Sequence, residues 1–153
     1  MNITTFAAIY IGSYEISMKI FELSSKRKIR EIDYIRKRVE LGNDAYAKGY
    51  IGYELAEEMC SVLSEYTKIM EGYKVDAYKA CASAAVRDAK NELVILDQIK
   101  LRTKLDVEVL SNSEHRFISY KSVAVRPECN TMIDQGAAVV DVGGGSLQIT
   151  LFR

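Results

Sequence analysis

The apolar run Ala137–Val142 breaks into three consecutive glycines, Gly143-Gly144-Gly145, then Ser146, before an apolar run resumes over Leu147–Phe152. This stretch constrains the fold more than any other. Two runs of strand-forming residues around a short glycine-rich turn make a β-hairpin. Three glycines in a row exceed what a turn needs, and without Cβ atoms the backbone is open to close approach by a ligand. Successive free amides in such a turn form a concave anion site. The segment therefore reads as a phosphate cradle built from Gly143, Gly144, Gly145 and Ser146. Asp141, delivered by the strand, can hold a magnesium ion or its waters against phosphate oxygens. The alternative is a glycine-rich turn with a surface aspartate.

A second turn of the same kind lies near the start, where the β-rich run Thr5–Ile11 ends at Gly12-Ser13. Alone it is an ordinary turn; its interest is the pairing with the later loop. Ile16–Leu23 and Ile29–Leu41 read as two further strands, so the first 41 residues form an antiparallel meander. Gly42–Gly49 reads as a polar loop. Over Gly52–Tyr73, Leu55, Met59, Leu63, Tyr66, Ile69 and Met70 recur at helical spacing. Val75–Ala82 reads as a strand and Ser83–Ala89 as a tight turn or short helix. Asn91 is the expected cap of a helix carrying Leu93, Leu96 and Ile99. A short strand at Val107–Leu110 precedes a helix capped by Ser113, with Phe117, Tyr120 and Ala124 inward and Pro127 ending it. Three meandering strands followed by alternating helices and strands define an α/β fold with a mixed sheet.

The chain has 153 residues, with 21 basic and 21 acidic side chains. No global field draws it to DNA or a membrane surface, so a polyanion must be met locally. Lys26–Arg30 and Arg36–Arg38 are short basic clusters of the kind that usually form solvated faces. Cys60, Cys81 and Cys129 are odd in number and lack metal-binding spacing, which suits a reducing cytoplasm. No stretch reads as a membrane span.

With these elements in order, a family resemblance becomes specific. Ala7-Ala8-Ile9-Tyr10-Ile11-Gly12-Ser13, Arg38-Val39-Glu40-Leu41-Gly42, Ala82–Ala89, Ser113–Ile118 and Asp141–Ser146 resemble, in order, five segments of the exopolyphosphatase and guanosine-pentaphosphate phosphohydrolase family. The resemblance implies an actin-like, ribonuclease-H-like lobe over residues 1–126, with 127–153 as a linker and the first hairpin of a second lobe. It also implies hydrolysis of a phosphoanhydride bond in polyphosphate or guanosine pentaphosphate, with magnesium. By the same mapping Gly12, Ser13 and Arg87 contact phosphate, Asp141 anchors metal and Glu114 activates water; Arg38 is a further arginine of that type. A carboxylate at a helix start can orient a water, or it can merely complement the helix dipole. His115, the sole histidine, reads as a partly exposed helix residue.

Three positions depart from the family pattern: Tyr10 for an aspartate, Tyr14 for an asparagine and Gln148 for a glutamate. A neutral phenol does not replace a carboxylate as a ligand of a hard cation. Two readings from different classes follow, a hydrolase lobe and a non-catalytic module that binds polyphosphate or a guanosine alarmone. An actin-like kinase lobe is a third. The apolar terminal hairpin presents an exposed edge that invites pairing with a second copy or docking onto the first lobe.

Overall fold

The computed structural model of the protein describes residues 3–25 and 28–152. Strands β1 (Ile3–Ile11), β2 (Glu15–Ser24) and β3 (Ile29–Arg38) form the expected meander. Helices α1 (Leu41–Lys48) and α2 (Tyr53–Gly72) follow, then β4 (Ala77–Ala82), α3 (Ala84–Asp88), α4 (Glu92–Thr103) and β5 (Val107–Val109). The five strands make one sheet in the order β3-β2-β1-β4-β5, antiparallel in its first half and parallel across β1-β4-β5. Helices α5 (Asn112–Ala124) and α6 (Pro127–Asp134) lead to β6 (Ala137–Val142) and β7 (Leu147–Phe152), a separate two-stranded hairpin.

The core lies on one face of the sheet. Strand alternation puts Ala7, Ile9 and Ile11 of β1 and Ile16, Met18 and Ile20 of β2 there, all at most 3 % exposed. Met59, Leu63 and Tyr66 of α2 and Ile95 and Ile99 of α4 cover them. Tyr66 is buried to its tip, where the hydroxyl donates to the Ile16 carbonyl oxygen at 2.7 Å. Desolvation pushes its pKa up to about 12, so it remains a neutral donor. On the opposite face, Ile118, Ser119 and Ser122 of α5 and Asp141 of the hairpin stand across a groove of about 870 Å³ from Phe6, Ala8, Phe21 and Cys81.

Several local expectations change. Residues 41–48 are helical rather than a loop, because Leu41 and Ala45 are buried and Gly49, at φ 77°, closes the turn in the left-handed region. Asn91 does not cap α4 with its side chain; the amide instead bonds both the N–H and the C=O of Ile51. The cap of α5 is Ser111, not Ser113, so the helix starts earlier and its faces are rotated. Phe117 consequently points out, 56 % exposed. Pro127 begins α6 rather than simply terminating α5, as its fixed φ permits at a first helical position. In α4 the buried stripe is Ile95 and Ile99, while Leu93 is exposed.

The basic clusters are solvated. Arg30 pairs with Glu22, Lys37 with Glu65 and Arg38 with Glu40, all at the surface; Lys26 and Arg27 lie outside the described residues. No helix among the described residues is long and apolar enough to cross a membrane.

Candidate functional site

The two glycine turns, about 130 residues apart, meet. Each is closed by one main-chain bond, Gly12 N–H to Glu15 O at 2.9 Å and Gly143 N–H to Ser146 O at 2.8 Å. Among the described residues the N–H groups of Ser13, Gly144 and Gly145 find no main-chain acceptor. The turns approach so closely that a Cβ on Gly144 would lie 3.5 Å from the Ser13 Cβ, and one on Gly145 2.8 Å from the Ser13 Oγ. Between them is a cleft of about 160 Å³, lined by Gly12, Ser13 and Gly143–Ser146 with Tyr10, Ser83 and His115. That is roughly five water volumes, enough for one phosphoryl group.

Two further tyrosines, Tyr14 and Tyr46, press on the glycine turns. Tyr46, on α1, bonds Ser13 through its hydroxyl at 2.7 Å. A Cβ on Gly145 would overlap the Tyr46 hydroxyl, and one on Gly144 would overlap the Tyr14 ring. Gly42 is constrained by the same pair, since its Cβ would stand 2.9 Å from Tyr14 and 3.0 Å from Tyr46. Part of the glycine requirement in the second loop is therefore steric accommodation of aromatic rings. Tyr46 escaped notice in the sequence because its segment reads as a loop.

Beside the cleft two of the three positions that depart from the family pattern, Tyr10 and Gln148, come together around His115. Its Nε2 is 3.4 Å from the Tyr10 hydroxyl and 3.8 Å from Asp141 Oδ2, and its Nδ1 is 3.4 Å from the Gln148 amide nitrogen. The His115 side chain is 13 % exposed. It is a partly exposed residue of α5, as the sequence reading expects, and it also lines the cleft. His115, not Glu114, lines the cleft between the loops. Burial raises the Tyr10 phenol above its ordinary pKa, with a smaller push from Asp141, so Tyr10 stays neutral.

Glu114 is engaged elsewhere. Its carboxylate accepts from the Ser111 N–H at 2.8 Å while its own N–H donates to Ser111 Oγ, a complete capping box. Those bonds lower its pKa. Glu114 lines none of the cavities beside the loops. Arg87 is brought to the site: it gives Nη1 to the Leu110 carbonyl and Nε to Asp88, and it lines a cavity next to Gly145 and Ser146. Arg38 is not, being held at the surface by Glu40.

Magnesium has a poor donor set here. Asp141 supplies one carboxylate, and Ser119 already donates to its Oδ2 at 2.5 Å. Its neighbours are a phenol, an imidazole and an amide, and no cluster of three or more metal-ligating residues exists among the described residues. These groups do not fit a resident hard-cation site.

A mixed sheet carrying two facing glycine turns defines an actin-like lobe. The comparisons make it more specific: the model of the Ppx/GppA phosphatase family matches residues 20–153, and the chain belongs to that family. The Aquifex aeolicus Ppx/GppA family member is similar at 32 % identity and TM-score 0.84, over 99 % of this chain and 48 % of that one. An exopolyphosphatase from Cytophaga hutchinsonii shares the fold at TM-score 0.83 and 21 % identity, covering 98 % of this chain and 47 % of its own. The bifunctional 3-dehydroquinate synthase/phosphatase of Fusobacterium nucleatum is 25 % identical over 151 residues, which is 95 % of this chain and 22 % of that protein. The chain spans about half the length of these solved relatives, 47–48 %, and less of the curated one.

Proposed function

We propose that this chain is the phosphate-handling half of a phosphoanhydride hydrolase acting on inorganic polyphosphate or guanosine pentaphosphate. The observation that carries the reading is the meeting of the Gly12-Ser13 and Gly143–Ser146 turns, with free N–H groups on both sides of a phosphoryl-sized cleft. Donors fixed in this way stabilise the charge on a phosphoryl group undergoing attack, and such catalysis is mostly positioning and electrostatics. Water adds to the terminal phosphorus, the bridging P–O bond breaks, and orthophosphate and a shortened chain leave. Arg87 clamps the ligand beside Ser146. No step is assigned to a metal, because the groups around Asp141 do not make a site for one.

Water activation falls to one of two neighbours. The family resemblance assigns it to Glu114, which would have to release Ser111 to reach the cleft. His115 faces the cleft without rearrangement. Phosphate release from long-chain polyphosphate and from guanosine pentaphosphate, compared for the parent, Glu114→Gln and His115→Ala, separates them. Release that collapses only in Glu114→Gln identifies the carboxylate as base; collapse only in His115→Ala identifies the imidazole.

A second reading, a binding module without turnover, is favoured by the contacts that Tyr10 and Gln148 make with His115, which fill the base of the cleft with neutral groups. Binding of both anions with no phosphate release from either would establish it. Absence of any binding would remove both readings.

A further inference from the structure

This inference rests on the phosphate-cradle reading and adds a class of ligand to it. The cleft between the turns opens on two sides. Past Gly145 and Ser146 it adjoins a cavity of about 540 Å³ whose polar wall includes Arg87 and Asp88. Past Tyr10, His115 and Gly143, which line both spaces, it adjoins the groove of about 870 Å³ on the sheet face opposite the core. Strand pairing lays out the floor of that groove. Phe6 lies opposite Phe21, and Ala8 lies between Lys19 of β2 and Lys79 of β4. From Tyr10 at the cleft to Phe6 the floor runs four residues of extended strand, about 13 Å. Ile118 of α5 and Val142 of β6 line the groove while 45 % and 73 % exposed, so it keeps apolar surface in water.

The polar groups around this floor are largely engaged. Lys19 pairs with Glu31 at 3.1 Å and Lys79 with Glu108 at 2.7 Å. Ser119 donates to Asp141, and Ser122 donates to the Ser119 carbonyl oxygen. Few donors or acceptors are left to read the edge of a nucleobase, whereas an alkyl chain needs none. We propose that cleft and groove together bind a phosphate monoester of an unbranched aliphatic alcohol. Its phosphoryl group sits between the glycine turns and its chain runs over Ala8 toward Phe6 and Phe21. Ala8 makes the room, being the smallest side chain on the floor. Removal of apolar surface from water on both partners drives the contact. Small-molecule sites of about 300–1,000 Å³ are commonly built in this way, apolar along most of the wall with a few polar groups that fix orientation.

The test is isothermal titration of the chain with orthophosphate, with ethyl, butyl and hexyl phosphate, and with guanosine 5′-monophosphate. In the parent each added methylene is expected to tighten binding about twofold to fourfold, the scale of a partly to fully buried CH₂. Ala8→Phe fills the floor, and the gain per methylene is expected to fall below about 1.5-fold while orthophosphate affinity is kept. Ile118→Ser strips the facing wall and is expected to reduce the gain in the same direction. Thermal melts verify the fold of both variants; Ile118→Ser decides alone where Ala8→Phe does not fold. A steep series left unchanged by the variants overturns the proposal, because the chain is then buried elsewhere. Guanosine 5′-monophosphate binding more tightly than hexyl phosphate also overturns it. A flat alkyl series in a parent that binds orthophosphate overturns it and leaves the cradle standing. A parent that binds none of these anions removes cradle and extension together.

Discussion

At the scale of single residues, the glycines of the second loop answer to two demands. Gly144 and Gly145 lack room for a Cβ because Tyr14 and Tyr46 press against them, whereas a Cβ on Gly143 would meet only Ser146, at 3.5 and 3.7 Å. Gly144→Ala is therefore expected to destabilise the chain by about 1–3 kcal/mol, the usual cost of overpacking. Gly143→Ala should change stability by less than about 1 kcal/mol. Urea unfolding of the two variants without ligand checks this; equal costs would show that the tyrosines do not set the constraint. The triple-glycine turn and its pairing with the Gly12-Ser13 turn were legible in the sequence, and the structure brings the two turns together. The tyrosine share of the requirement was not legible, since it depends on side chains from β1–β2 and α1 converging on a loop about 100 residues later. The cap of α5 was misplaced from Ser111 to Ser113, and boundary errors of two residues are ordinary in sequence reading.

At the scale of elements, α1 is held by one acidic side chain. Asp44, 9 % exposed, accepts the Gly52 N–H at 2.8 Å and pairs with Lys48 at 2.7 Å. Lys48 first, then the Gly52 N–H, lower its pKa from the ordinary value. A depressed folded pKa means the contribution is complete above the unfolded value of about 4 and is lost as pH falls through the folded one. Asp44→Asn is expected to cost about 1–2 kcal/mol at pH 7, with the difference from the parent shrinking below about pH 4. Thermal melts of both proteins across pH 2.5–7 read this out; a difference independent of pH would mean the carboxylate charge is irrelevant. The strands and α2 were legible because their alternation and helical spacing are set by burial against one sheet face. Helix α1 was not, because its eight residues show only a short apolar pattern, Leu41 and Ala45, and the Asp44 bonds and the Gly49 turn that complete it are not visible as periodicity.

At the scale of the whole molecule, the hairpin is unevenly covered. Tyr120 of α5 stacks on Phe152 with ring centroids 4.8 Å apart, and Ser119 holds Asp141. The other face exposes Val140, Val142, Leu147, Ile149 and Leu151, each at least 55 %. A contiguous apolar surface of this kind favours association. We expect a second copy to cover it, giving a dimer whose population rises with concentration in light scattering, and Ile149→Lys to shift the chain to monomer. A parent that stays monomeric over the whole concentration range would count against this.

The five-stranded sheet is complete at Val109, whereas the second glycine turn belongs to a hairpin that begins at Ala137 and shares no strand pairing with it. During synthesis, where folding proceeds from the amino terminus, the sheet and its helices can settle while the later turn is still unmade. On that order the cleft between the two turns would be completed last, when the hairpin meets Tyr14, Tyr46, His115 and Ser119. Its geometry is inherited from a rigid platform rather than negotiated as the core forms.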